Sequence, residues 1–254
     1  MFGFFQRRRR ARISAEPFPD EWSEILNEHV PFYRTLDPAL LDRFHSFVRI
    51  FESEKYFIGA RGFDVELHHR VAISAVAIRL VLNLDLRPYD RLTEIIIYPF
   101  AYSHGGDEVP GEQTVILGEA HSFGTVVLSW PAVISGLENP CDGHDTALHE
   151  FAHVLDRDSG SFNGTPRLRA TEDYHAWGEV LTDHFERLQD GLMPERKVLR
   201  TYGATNEAEF FSVATESFFE RPGRMKRLTP DLYDALSTFY GFDPTANPLC
   251  PGDH

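Results

Sequence analysis

Apolar residues fall along this chain in blocks whose period changes twice. Pro19-Asp20-Glu21-Trp22 opens a helix that runs to about residue 29. Asp37-Pro38 then supplies an N-cap and a first-turn proline for a second helix to about residue 54. Residues 66–84 predict a third, apolar on nearly every side through Val71, Ile73, Ala75, Ala77, Ile78 and Leu80. His68 and His69 stand at its polar start. Adjacent positions do not share a helix face, so both are read as surface residues rather than ligands.

The middle of the chain changes character. Glu94-Ile95-Ile96-Ile97-Tyr98-Pro99 is a β-branched run that predicts a buried strand. Residues 113–117 and 125–130 flank a turn rich in Gly, His and Ser and predict a hairpin. Helical spacing returns at 145–155, 172–188, 206–219 (stopped by Pro222) and 229–240, with a Gly/Ser loop at 159–166. The layout is α+β: a small sheet preceding a central helix, with helices around it.

That central helix carries His149-Glu150-Phe151-Ala152-His153. Two histidines four apart lie one above the other on a helix face, so both imidazoles can reach one metal ion. Glu150 can address a water on that metal. Zinc lowers the pKa of such a water to roughly 7, and a carboxylate takes its proton. The flanking residues, from Thr146-Ala147-Leu148 to Val154-Leu155, are apolar wherever they are not candidate ligands, which predicts burial. Buried imidazoles and a buried carboxylate are costly unless paired or bound to metal. Asp145 or His144 opens the helix, and Asp156-Arg157-Asp158-Ser159-Gly160 closes it.

Composition narrows the partners. The formal charge is −14, and it becomes −19 once the five arginines within residues 1–12 (Arg7, Arg8, Arg9, Arg10, Arg12) are set aside. So acidic a body argues against direct nucleic-acid binding. Residues 1–15 are expected to be a basic, disordered tail, and residues 16–254 a single domain. Met1-Phe2-Gly3-Phe4-Phe5 ahead of the arginines is not the order of a secretory signal. No apolar run is long enough for a membrane span. Cys141 and Cys250 lack zinc-site spacing and are expected to be reduced thiols. Together these features predict a cytoplasmic protein.

A catalytic zinc needs a third protein ligand beside an open position. The best source is the phenylalanine-rich helix 206–219, where Glu209 and Glu216 are seven apart and share a face with Ser212 and Val213. An acid there needs a partner. Spacing alone does not choose between the two.

The chain resembles the Mlc titration factor A family of bacterial zinc metallopeptidases, whose catalytic domain is related to that of anthrax lethal factor. The resemblance runs through Phe18-Pro19-Asp20-Glu21-Trp22, Ile97-Tyr98-Pro99, Val127-Leu128-Ser129-Trp130, His149 to Asp156, Ala208-Glu209-Phe210-Phe211 and Glu216-Ser217-Phe218-Phe219. It implies a zincin-like domain with His149, His153 and Glu209 on Zn²⁺, and Glu150 as the proton acceptor. It also implies that Tyr202, seven residues upstream of Glu209, hydrogen-bonds the oxyanion. Asp156 is either an orienter of a ligand histidine or a helix-end carboxylate paired near Arg157. A histidine that can block the metal in a family member aligns near Pro110-Gly111, where this chain has none; His104 and His121 do not match it.

The leading expectation is therefore a zinc-dependent peptidase, with aminopeptidase-type cleavage of short peptides implied by the resemblance. An extended substrate could pair with the strand 125–130. The rival is a regulatory protein that sequesters an Mlc-like transcriptional repressor, its zinc site structural or vestigial. A structural zinc site is normally closed by four protein ligands, and neither cysteine is placed to help.

Overall fold

The computed structural model describes residues 2–100, 124–246 and 249–250. It is mostly helical, with one small sheet, as expected of an α+β domain.

The first predicted helices are α2 (Asp20–His29) and α3 (Pro38–Glu54). Asp37 caps α3 by accepting from the Ala39 N–H at 2.9 Å. Ahead of them lies α1 (Phe2–Ala15), where the arginine content suggests a disordered tail. Its helical state has a physical cause in the partners it meets. Arg10 bridges Glu54 at 2.7 Å and Asp90 at 2.6 Å, Arg9 donates to the Ser53 carbonyl, and Ile13 packs on the core. One arginine facing two carboxylates gives the segment a defined seat.

The strand β1 (Tyr56–Gly59), not foreseen from the sequence, follows α3 directly. At Gly59 the returning chain crosses so closely that a Cβ would stand 1.8 Å from the Phe63 carbonyl oxygen, so only glycine fits. Next comes α4 (Leu67–Val81), with eleven of its residues buried, as its apolar run predicts. The surface reading of His69 is corrected. Its ring is buried, and its Nδ1 accepts the Glu66 N–H at 2.8 Å while the Glu66 side chain caps the helix in return. Burial, with His68 alongside, lowers its pKa to about 4.

Strands β2 (Glu94–Tyr98) and β3 (Thr125–Ser129) complete a sheet of order β1-β2-β3. Both pairings are parallel, with Gly59 opposite Ile97 and Ile97 opposite Leu128. All five residues of β3 are buried, the mark of a parallel strand covered on both faces. The hairpin partner expected at 113–117 lies outside the described residues. β3 ends one residue earlier than its apolar run, because the Ser129 hydroxyl accepts from the Ala132 N–H and starts α5 (Trp130–Glu138).

The second half is helical: α6 (Thr146–Arg157), α7 (Asp173–Gln189), α8 (Glu195–Val198), α9 (Glu207–Glu220), α10 (Pro222–Leu228) and α11 (Pro230–Tyr240). α6 is the middle of the molecule, packed against α4, α5, α9 and β3. Phe51, Tyr89 and Phe151 meet edge to face behind it, and Phe211, Phe218, Phe239 and Tyr240 fill the space beyond α9.

Cys141 and Cys250 are not reduced thiols. They form a disulfide, with Cα atoms 5.8 Å apart, across 109 residues of sequence. The bond ties the loop before α6 to the far end of the chain, a proximity that only the folded state creates. Among the described residues, no helix is long and apolar enough to cross a membrane.

Candidate metal centre

Two helices build the site. α6 brings His149 and His153 to one face, and its start is set by Asp145, whose carboxylate accepts from the Leu148 N–H at 3.0 Å. α9 brings Glu209 in its first turn. Asn206 caps that helix by accepting from the Glu209 N–H itself, so the backbone under this carboxylate is pinned.

The side chains converge on one point. His149 Nε2 lies 2.9 Å from Glu209 Oε2, His153 Nε2 lies 3.4 Å from the same oxygen, and the two Nε2 atoms are 3.1 Å apart. Ligands of a tetrahedral zinc at its usual bond lengths stand about 3.3 Å from one another, so these separations fit. Among the described residues, these three form a group able to hold a metal ion.

The opposite ring nitrogens explain why both Nε2 atoms aim inward. His149 Nδ1 donates to Glu216 Oε1 at 2.8 Å, and His153 Nδ1 meets the Ser212 hydroxyl at 3.1 Å. Each partner fixes the ring's orientation, as is usual for metal-bound histidine. The two glutamates that spacing left equivalent thus take different places. Glu209 faces the ligand nitrogens, and Glu216 holds the back of His149.

Glu216 does more than that. Its other oxygen accepts the Asp145 N–H at 2.8 Å, and Arg200 pairs with it on the Oε1 side. One turn further along α9, Glu220 accepts the Gly143 and His144 N–H groups at 2.7 and 2.8 Å. Asp145, Glu216 and Glu220 therefore gather at the N-terminus of α6 and take up N–H groups that have no partner within the helix. None of the supporting roles of Ser212, Arg200 and Glu220 was read from the sequence. The one available signal was a pair of acids, Glu216 and Glu220, seven and eleven residues after Glu209 in an otherwise apolar helix.

Electrostatics follow from this packing. Burial opposes a charge on His149, but its bonds to Glu209 and Glu216 outweigh that and raise its pKa to about 10. The same carboxylates would stabilise a dication. Glu209 is half-buried, which opposes its charge, yet the two histidines hold it well below the ordinary carboxylate range. Glu150 is buried beside both histidines and contributes to the field each feels.

Most of the chain carries the pattern of a known family. Residues 4–241 match the glucose-regulated metallo-peptidase M90 family. The chain belongs to that family. An uncharacterized protein of Synechocystis, slr2042, is 35% identical over 249 residues, covering 94% of this chain and 90% of its own length. Proteins of Yersinia pestis and Yersinia pseudotuberculosis named Mlc titration factor A are 28% identical over 236 residues, covering 89% of this chain and 86% of theirs.

In this M90 chain Tyr202 sits on a 3₁₀ turn, Thr201–Ala204, packed against α9. Its ring lies 5.9 Å from that of His149, and its phenol is close enough to feel the Glu209 carboxylate. Burial, then Glu209 and Glu150, push its pKa up to about 12, so the phenol keeps its proton at neutral pH. Asp156 takes neither expected role. It is fully buried and accepts the Gly164 N–H at 2.9 Å, holding the loop after α6 rather than a histidine or a neighbour of Arg157. The segment aligned with the blocking histidine of a relative, and His104 and His121 with it, lie outside the described residues.

Proposed function

We propose that this M90 metallopeptidase is a zinc enzyme that hydrolyses short peptides, with aminopeptidase-type cleavage. The observation that carries the reading is the convergence of His149 Nε2, His153 Nε2 and Glu209 Oε2 at 2.9–3.4 Å, with the buried Glu150 adjoining. Two imidazoles and one carboxylate suit Zn²⁺ and leave a position open, the donor set of a catalytic rather than a structural site. A zinc ion held there would supply Lewis acidity to the scissile carbonyl.

The remaining roles fall to the chain's own side chains. Glu150 takes the proton of the attacking water and returns it to the leaving amine. Tyr202, protonated at neutral pH, donates a hydrogen bond to the developing oxyanion. Glu216 and Ser212 keep the two histidines turned toward the metal. Metal content, measured together with hydrolysis of short chromogenic peptides with and without a chelator, tests this reading. A zinc-loaded protein inert on the panel would overturn it.

A second reading is supported by the relatives named Mlc titration factor A, namely binding of an Mlc-like transcriptional repressor. A repressor needs a protein-sized surface, whereas hydrolysis needs only the cleft around the metal. The two functions separate under Glu150→Gln, which should abolish cleavage and leave repressor affinity unchanged. Titration of the variant with the repressor reads this directly, and loss of binding would place the partner in the cleft. A cytoplasmic location goes with this partner. The Cys141–Cys250 disulfide weighs against a reducing compartment, and alkylation of thiols in rapidly quenched cells would decide between them.

A further inference from the structure

Residues 159–164 of the loop between α6 and α7 are small or polar apart from Phe162, and Ser159, Ser161 and Asn163 bond one another. The Ser159 hydroxyl bonds the Asp156 carbonyl at 2.9 Å and meets the Ser161 hydroxyl at 2.9 Å, and Ser161 donates to Asn163 Oδ1 at 2.9 Å. Gly164 gives its N–H to Asp156 and its carbonyl to the Trp177 indole. Its φ of 73° and a would-be Cβ only 2.3 Å from the Glu207 carbonyl oxygen admit glycine alone. The loop is thus seated on both metal-site helices, through Asp156 of α6 and Glu207 of α9.

Phe162 is the exception in this loop. The residue is 45% exposed. The ring centroid stands 5.1 Å from that of His153, and the Arg157 guanidinium lies over the ring at 4.6 Å. Tyr202 stands in the matching position beside His149. The rim of the centre therefore has a hydrogen-bond donor at one histidine and an apolar plate at the other. A fixed loop that holds a phenyl ring in water beside a candidate metal ligand presents surface for something else to cover.

We infer that Phe162 is a specificity determinant: it forms the wall against which an apolar, preferably aromatic, side chain flanking the scissile bond packs. The inference rests on the peptidase reading above and names its substrate class. Ring-on-ring contact favours aromatic partners, and the Arg157 charge behind the ring disfavours lysine or arginine at the same position. Differences of this kind in an apolar pocket are worth about 10- to 200-fold in kcat/KM.

The test is a chromogenic peptide series in which only the residue flanking the scissile bond varies among Phe, Leu, Gly and Lys. It is run on the zinc-loaded wild type, Phe162→Ala and Phe162→Leu. The wild type should prefer Phe over Gly by about tenfold or more, chiefly through KM. Phe162→Ala should bring that ratio close to one while keeping its zinc, and Phe162→Leu should restore most of the preference. A wild type without apolar preference, or a Phe162→Ala variant that keeps it, overturns the inference. Binding of the same peptides to Glu150→Gln and to Glu150→Gln/Phe162→Ala by calorimetry separates the two proposals. A wild type that cleaves nothing sinks the peptidase reading, whereas equal affinity of the two variants for the Phe peptide sinks the role of Phe162.

Discussion

Glu216 holds His149 by its Nδ1 at 2.8 Å with one carboxylate oxygen and grips the backbone at Asp145, four residues earlier in the same helix, with the other. One side chain thus sets both the rotation of a candidate ligand ring and the start of the helix that carries it.

Glu209→Ala should empty the proposed metal site, because it removes one of its three candidate ligand atoms. Glu216→Ala should weaken metal binding by about 10- to 100-fold, the usual loss when an outer partner of a ligand histidine is removed. Metal titration against a competing chelator ranks the two. A site emptied by Glu216→Ala and spared by Glu209→Ala would reverse the assignment.

Glu150→Gln should keep the fold and the metal and lose nearly all hydrolysis, since an amide cannot accept the water's proton. Tyr202→Phe should keep the metal while kcat falls by about 10²- to 10³-fold, the range for loss of one oxyanion donor. Steady-state kinetics on metal-loaded protein checks both, and wild-type turnover in either variant removes that residue from the mechanism.

Burial, together with Asp145, raises the pKa of Glu220 from 4.5 to about 8. The folded chain therefore binds this proton more tightly than the unfolded chain. Its stabilising contribution is complete below about pH 4.5 and is lost as pH rises toward 8, on the order of a few kcal/mol in all. Glu220→Gln should flatten the fall of unfolding free energy across that window, as read from denaturant titrations at stepped pH. A parallel dependence in both proteins would mean that Glu220 ionises normally.

Reducing the Cys141–Cys250 bond, or replacing Cys141 by Ala, should destabilise the fold by about 2–5 kcal/mol, the usual effect of removing a cross-link that spans a long loop. Thermal melts with and without dithiothreitol read the change, alongside a thiol count on the unreduced protein. Two titratable thiols in that sample would show that the bond does not form in solution.

Much of this architecture is legible in the sequence where local chemistry decides it. Asp37-Pro38, Thr229-Pro230 and Asn206 mark helix starts within a residue or so of where they occur, and the Ile95–Ile97 run becomes β2. The pentapeptide lies on a helix with His149, Glu150 and His153 all buried. What escaped depends on long-range partners. α1 needs Glu54 and Asp90, β1 is only four residues long, and the disulfide joins positions 109 apart. Glu209 and Glu216 share a helix face, so no periodicity distinguishes them. Their roles diverge because one meets Nε2 and the other Nδ1 of the same imidazole. Phe162 sits in a loop with no period at all, and its place beside His153 comes from the path of the backbone between Gly160 and Gly164.

The three successive amide hydrogens of Gly143, His144 and Asp145 are all taken by α9, through Glu220 and Glu216. The segment leading into a helix ordinarily frays on its own, and its amides exchange with solvent quickly. Those of Gly143 and Asp145 can exchange only when α9 lets go, so their deuterium uptake should follow the opening of the α6–α9 seam rather than local fraying. α6 and α9 would then come apart as one cooperative unit, and the ligands each contributes would be lost or kept together.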